Sequence, residues 1–217
     1  MTRKMYLTEP HTYSGSAKIT AIISGERPAI RLDQTWFHPQ GGGQKADRGR
    51  IGTSFVLHVA HSEDSVDHVV DSVAGLESGM IVQMEIDQPW RALNARYHTA
   101  GHLIACVIEE LVPSFKAVSG HQWPGEGRVE FDATGVDVAV CLDAVNDRIQ
   151  RDIQADLPVM IEGEPHSDRK IRIGEYSPIS CGGTHIHSLS LLSVVKAIAI
   201  KKKSGRVRVS YEVSEAA

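Results

Sequence analysis

No apolar run in this sequence approaches the roughly 20 residues that a bilayer-spanning helix requires. A membrane-embedded role is therefore not expected. The opening residues, MTRKMYLTEPHTYSG, lack the hydrophobic stretch of a secretory signal. Cysteine is sparse, with only Cys106, Cys141 and Cys181. Three scattered thiols argue against a disulfide framework and for a reduced, cytoplasmic protein. Positive charge is also short, the net charge being −4. Nothing attracts the whole molecule to nucleic acid, so any binding to a phosphate backbone requires a local basic patch. Internal repeats and low-complexity segments are missing as well. What is present is ordinary for a globular chain: 41% hydrophobic and 23% charged residues over 217 positions, enough for one large domain or two small ones.

Residues 1–88 read as short strands separated by turns: Lys18–Ile23, Ala29–Leu32, Ile51–Ala60 and Met80–Asp87, with Ser-Gly and Arg-Pro punctuation. Regular short strands without a long helical period predict a small antiparallel barrel or sandwich. Within them lies Thr35-Trp-Phe-His-Pro-Gln-Gly-Gly-Gly-Gln-Lys-Ala-Asp-Arg-Gly49. The glycines Gly41, Gly42 and Gly43 open backbone conformations closed to other residues and leave amides unshielded. Such a turn suits a mobile hairpin, or a wall against which a ligand packs, or an anion nest. The flanking Phe37, His38, Gln40 and Gln44 favour the wall.

The spacing predicts a helix from Pro89 to Leu111, with proline in its first turn and Pro113 beyond its end. Leu93, Tyr97, Ile104, Val107, Ile108 and Leu111 keep helical period. The loop-like stretch Val118–Gly127 and a strand at Arg128–Asp132 follow. A second helix is predicted from about Val136 to Asp156, with Cys141, Val145, Ile149 and Ile153 buried opposite Asp143, Asp147, Arg148 and Asp152. Extended structure resumes at Val159–Glu162. Leu189–Lys202 and Arg206–Glu212 then form a hairpin about Ser204-Gly205.

Chemistry concentrates at two places. His98 and His102, four residues apart, fall on one face of the first helix. Cys181-Gly-Gly-Thr-His185 offers a thiol and an imidazole on glycine-rich backbone. Either pair alone is weak, since paired histidines are often packed or surface features. Together, His98, His102, Cys181 and His185 match zinc in softness and number. His187 competes as a ligand, because it faces the side of His185 if the chain there is extended. Cys106 extends the histidine row by one turn and reads as a core thiol.

In this order the motifs resemble the alanyl-tRNA editing proteins of the AlaX family, relatives of the editing domain of alanyl-tRNA synthetase and of the second additional domain of threonyl-tRNA synthetase. The likeness is carried by His98-Thr-Ala-Gly-His102, by Cys181-Gly-Gly-Thr-His185 and by Phe37-His-Pro-Gln-Gly-Gly-Gly-Gln44. Lys201-Lys-Lys-Ser-Gly-Arg-Val-Arg208 is similar to the family's last hairpin. The resemblance is to the medium-length type, since the chain stops soon after that hairpin. It implies an α+β fold: a small antiparallel β-barrel domain over 1–88, then an editing domain over 89–217 with an antiparallel sheet and helices on one face. It implies zinc on His98, His102, Cys181 and His185, and ATP-independent hydrolysis of tRNA(Ala) mischarged with serine or glycine. His38 and Gln40 replace the usual Tyr and Glu of the glycine motif. Gly101 stands where the synthetase domain commonly carries Thr.

A four-ligand site resembles a closed structural zinc, whereas catalytic zinc keeps a position open. The family reaction therefore requires either a displaceable ligand or a metal that anchors substrate. Alanine is smaller than serine, so exclusion by size fails and a site that hydrogen-bonds the hydroxyl is needed. Thr99, Thr184 and Gln44 are the candidates, with Gly41, Gly42, Gly43 and Gly101 as further pocket residues. Lys201, Lys202, Lys203, Arg206 and Arg208 are candidates for tRNA phosphates, and equally fit a solvated hairpin tip. A monomer or weak homo-oligomer is expected. Two rivals remain: a zinc hydrolase of another small ester or amide, and a non-catalytic tRNA-binding module with structural zinc.

Overall fold

The computed structural model describes residues 1–136 and 139–214. The fold is α+β, with two α-helices among mainly antiparallel strands. In chain order the elements are β1 (Arg3–Lys4), β2 (Ser14–Ile23), β3 (Ala29–Leu32), β4 (Gln34–Thr35), β5 (Gly49–Ile51), β6 (Ser54–Ser62), β7 (Ser65–Val70), β8 (Ile81–Ile86), α1 (Gln88–Leu111), β9 (Lys116–His121), β10 (Arg128–Asp132), α2 (Leu142–Gln154), β11 (Val159–Glu162), β12 (Lys170–Ile173), β13 (Ile179–Ser180), β14 (Val194–Lys203) and β15 (Arg206–Ser214). The chain divides into two compact units, Met1–Gly41 with Lys45–Ala92, and Gly42–Gln44 with Leu93–Ala217.

In the first unit, strand pairing runs β2-β3-β7-β6-β5-β8 and returns from β8 to β2. β1 and β4 form a separate parallel pair. Alternate residues point inward, so Ile30, Leu32, Ile51, Val59 and Val66 are fully buried in one cluster with Phe37. The stretch expected as one strand, Ile51–Ala60, is the end of β5 and most of β6. They are joined by a turn at Gly52-Thr53 whose glycine takes φ +59°. β7 was missed because Asp67 and His68 interrupt its apolar period, although His68 is buried.

One buried ion pair anchors this unit. The Arg91 guanidinium donates through Nε to both carboxylate oxygens of Asp47 (2.9 and 3.0 Å) and through Nη1 to the Pro10 carbonyl (2.7 Å). Nη2 bonds the Trp36 carbonyl at 2.6 Å and also Asp47. Asp47 further accepts from the His38 amide. Charges this deeply buried persist only when paired and hydrogen-bonded on all sides.

The second unit holds a four-stranded antiparallel sheet, ordered β14-β15-β10-β9, and a three-stranded one, β11-β12-β13. Val129 and Phe131 of β10, Val207, Val209 and Tyr211 of β15, and Val195 and Ala197 of β14 alternate into one core. Leu103, Ile104, Val107 and Ile108 of α1 and Val145, Ile149 and Ile153 of α2 meet them there. α1 begins one residue before the expected Pro89. The Asp87 carboxylate accepts from the Trp90 amide at 3.0 Å as an N-terminal cap. α2 begins at Leu142, later than expected, and of the expected first turn Asp137 and Val138 lie outside the described residues. Cys141 is exposed at the N-cap rather than part of the buried stripe. Asp152, expected on the solvent side, is buried, accepting from Tyr176 and from Arg148. The stretch read as loop from Val118 overlaps β9, an edge strand whose exposed residues give no apolar alternation. Leu189–Leu192 is a 3-10 turn before β14, not strand. The closing hairpin turns at Ser204-Gly205 as expected.

Candidate metal centre

His98 and His102 lie one turn apart on α1, their ring centroids 5.1 Å from each other. Cys181 follows β13, and the loop that it opens brings His185 to ring-centroid distances of 4.4 Å from His98 and 4.7 Å from His102. The ligand atoms of His98, His102, Cys181 and His185 all fall within 4.8 Å of one another, a group that can hold a metal ion. Cys181 Sγ is 3.4 Å from His98 Nε2 and 3.3 Å from His185 Nε2. Zinc bonds of about 2.3 Å to sulfur and about 2.0 Å to nitrogen place tetrahedral neighbours roughly 3.5 Å apart, so this spacing suits one ion. His187, the competing ligand, is exposed while His185 is buried, and it stands outside the group.

The second glycine of the Cys181 motif is a spatial necessity. A Cβ on Gly183 would stand 2.1 Å from His98 Cε1. Only glycine lets this loop lie on the imidazole, and from there the Gly183 amide donates to Cys181 Sγ at 3.3 Å. Burial pushes the Cys181 thiol up, opposed by that amide and by the Arg169 guanidinium. Arg169 Nη1 also donates to the Cys181 carbonyl at 2.6 Å.

Two neighbours fix which nitrogen each histidine offers. Gln44 Oε1 accepts from the Thr184 amide at 2.9 Å, and Gln44 Nε2 donates to Thr184 Oγ1 at 2.8 Å, which settles the orientation of the carboxamide. Its oxygen lies 2.8 Å from His98 Nδ1, so that nitrogen carries the proton and Nε2 turns a lone pair toward Cys181. Thr99 does the same for His185. Its hydroxyl donates to the Ala95 carbonyl at 2.9 Å, leaving Oγ1 to accept from His185 Nδ1 at 3.1 Å and from the Ile186 amide at 3.3 Å. Outer groups of this kind orient metal-bound histidines. His102 is held down at about 4, first by burial and then by Arg169, so it is neutral at physiological pH. His102 Nδ1 is buried with no hydrogen-bond partner among the described residues, and so is free to bind a metal ion.

The group opens on a cavity of about 310 Å³, lined also by Gly42, Gly101, Gln122 and residues of β9. Of the residues expected to bind substrate, Gly42 and Gly101 line it. Gln44, Thr99 and Thr184 are buried behind the histidines, their polar groups engaged as above. Gly43 gives its carbonyl to the Gln122 amide at 2.9 Å. A Cβ there would stand 2.5 Å from the Gly120 carbonyl oxygen, at φ +83°. Gly41 belongs to the first unit, where it faces the His61 ring. Gln122 and Arg169 went unnoticed in the sequence, since neither stands in a motif. On the last hairpin, Lys201 pairs across strands with Arg208 and Lys203 with Arg206. Arg208 is bound to Glu130 at 2.6 Å, Arg206 lies 3.9 Å from Asp132, and Lys202 donates to the Val136 carbonyl. Lys201 and Lys203 form no ion pair among the described residues.

No protein-family model matches the chain. Similar curated proteins include the alanyl-tRNA editing protein AlaX-M of Pyrococcus horikoshii, 29% identical over 91% of this chain and 91% of its own length. AlaX-L of the same organism is 27% identical over 94% of this chain and 56% of its own. The alanine–tRNA ligase of Caldivirga maquilingensis is 27% identical over 93% of this chain, which spans only 25% of that ligase. The likeness to AlaX-M runs almost from end to end in both proteins, so along nearly its whole length the chain is similar to an alanyl-tRNA editing protein of the AlaX type.

Proposed function

We propose that the protein is a zinc-dependent hydrolase of mischarged tRNA(Ala), removing serine and also glycine while sparing alanine, with residues 89–217 as the editing domain. The observation that carries this reading is the buried group His98, His102, Cys181 and His185 opening on a cavity of about 310 Å³. Zinc, when bound, supplies Lewis-acid polarisation of an ester carbonyl and acidification of water. The chain's own residues do the rest. Gln44 holds His98, and Thr99 holds His185, each with Nε2 deprotonated toward the centre. The Gly183 amide and the Arg169 guanidinium oppose, without cancelling, the burial that keeps a proton on Cys181, and so favour its thiolate as a ligand. The bond between an amino acid and the terminal ribose is an activated ester, so positioning it beside the centre supplies much of the catalysis. We propose that Lys201 and Lys203 carry the tRNA phosphate contacts. The charges of Arg206 and Arg208 are largely answered by Asp132 and Glu130, and Lys202 is tied to Val136.

The test compares deacylation of Ser-, Gly- and Ala-tRNA(Ala), with and without chelator. Chelator-sensitive loss of serine and retention of alanine are expected. Hydrolysis of free esters without any need for tRNA would instead support a small-ester hydrolase. Binding of tRNA with all three esters left intact would support a structural-zinc module. Charge reversal of Lys201 and Lys203 is expected to weaken tRNA binding and flatten its dependence on salt.

A further inference from the structure

Gly101 on α1 and Gly120 on β9 share one neighbour. A Cβ on Gly101 would stand 2.8 Å from both Cδ and Nε2 of Gln122, and one on Gly120 would stand 2.1 Å from the same Nε2. The Gln122 carboxamide thus fills a slot that exists because two residues lack side chains. Gln122 is only 5% exposed, and it lines the cavity together with His98, His102 and Cys181. Its backbone amide is tied to the Gly43 carbonyl, so the slot is held from below by the glycine turn.

Tyr211 fixes which end of the carboxamide faces where. Its hydroxyl oxygen lies 2.8 Å from the Tyr97 carbonyl and 3.2 Å from the carboxamide atom placed as Oε1, with the atom placed as Nε2 between the two glycines. A hydroxyl has one proton, and the carbonyl, which only accepts, takes it. Tyr211 therefore presents a lone pair to Gln122, and the amide nitrogen is the atom that must meet it. Nitrogen and oxygen of a carboxamide are assigned from such networks rather than seen. The Gln122 carbonyl oxygen is then left between Gly101 and Gly120, as an acceptor beside the cavity.

We infer that Gln122 is the residue that distinguishes serine, its carbonyl oxygen accepting a hydrogen bond from the seryl hydroxyl. This rests on the proposed editing function and answers a need that Gly101, with no side chain, leaves open. Alanine and glycine cannot satisfy the buried acceptor and are disfavoured by its desolvation. Glycine is removed more slowly than serine for the same reason, and its removal gains nothing from Gln122.

The experiment measures deacylation of Ser-, Ala- and Gly-tRNA(Ala). It also measures, by calorimetry, binding of the non-hydrolysable amides 3′-serylamino- and 3′-alanylamino-3′-deoxyadenosine. Gln122→Met keeps the length and removes the acceptor. It is expected to cut the serine-over-alanine ratio about tenfold or more in both assays while zinc content is unchanged. Gln122→Glu retains an acceptor and is expected to keep the preference. Gly101→Ala, a change that favours helix, displaces the carboxamide and is expected to mimic Gln122→Met. An unchanged ratio in Gln122→Met overturns the assignment. So does equal weakening of both amides, which would place Gln122 on the amino group that all substrates share. If the wild-type protein neither deacylates Ser-tRNA(Ala) nor binds either amide, the functional reading itself fails. A wild-type preference for serine that survives in Gln122→Met removes only Gln122.

Discussion

Two buried histidine environments differ in where their ring nitrogens point. In the first unit, His68 is fully buried and both ring nitrogens are engaged. Nδ1 donates to the Ile30 carbonyl at 2.9 Å, and Nε2 accepts from the Thr35 hydroxyl at 2.8 Å. In the second unit, His98 and His185 each have Nδ1 engaged in the same way, by Gln44 and Thr99, but turn Nε2 toward Cys181. Burial is alike in both places. A histidine whose two nitrogens bond a carbonyl and a hydroxyl is part of the scaffold, whereas histidines that turn the same nitrogen toward one thiol form a site.

Removing a ligand breaks the comparison most severely. Cys181→Ser or His102→Ala is expected to reduce zinc, measured by elemental analysis of purified protein, from near one equivalent to near none. Stoichiometric zinc in both variants would mean that other groups hold the ion. Next in size is Arg91→Met, which strands Asp47 as an unpaired buried charge in the first unit. A loss of about 3–5 kcal/mol in urea unfolding is expected, and a loss below 1 kcal/mol would show that Asp47 finds another partner.

The His68 environment predicts a pH dependence. Burial holds its imidazole at about 4, against 6.5 when unfolded. Between these values the unfolded chain binds a proton that the folded chain refuses. The His68 contribution is thus complete above pH 6.5, is lost progressively toward pH 4, and is level below. Its full span is about 3 kcal/mol. The difference in unfolding free energy between wild type and His68→Gln, followed from pH 7 to 4, should shrink by that amount. A constant difference would assign the acid loss to other groups. The smallest effect sharpens the comparison: Gln44→Leu leaves all four ligands but frees His98 Nδ1. Zinc affinity, from chelator competition, is expected to fall about 10- to 100-fold. Undiminished affinity would show that Gln44 serves only the Thr184 loop.

The group that can hold a metal was legible because its spacing is local. Residues i and i+4 share a helix face, and a Cys-Gly-Gly-Thr-His loop announces itself in a line of letters. The helix α1, the strands β3, β10 and β11, and the last turn were legible for the same reason of local period. β9 was not, because an exposed edge strand has no apolar alternation to read. Asp152 was misread as solvent-facing because a helical wheel shows its neighbour Arg148 but not Tyr176, which meets it from outside the helix.

Gln44, Thr99 and Thr184 stood out in the sequence as polar groups for a substrate hydroxyl. The fold instead spends their hydrogen bonds on the histidines and on the loop, since a buried polar group binds whatever lies nearest. By itself, then, the sequence determined which atoms can bind a metal and which family pattern they follow. The tertiary structure alone decided which nitrogens face the centre, and that Gln122, 20 residues beyond His102, fills the space that Gly101 leaves. Ligand chemistry is a property of side chains at short spacing. Protonation, orientation and room are properties of neighbours that only folding brings together.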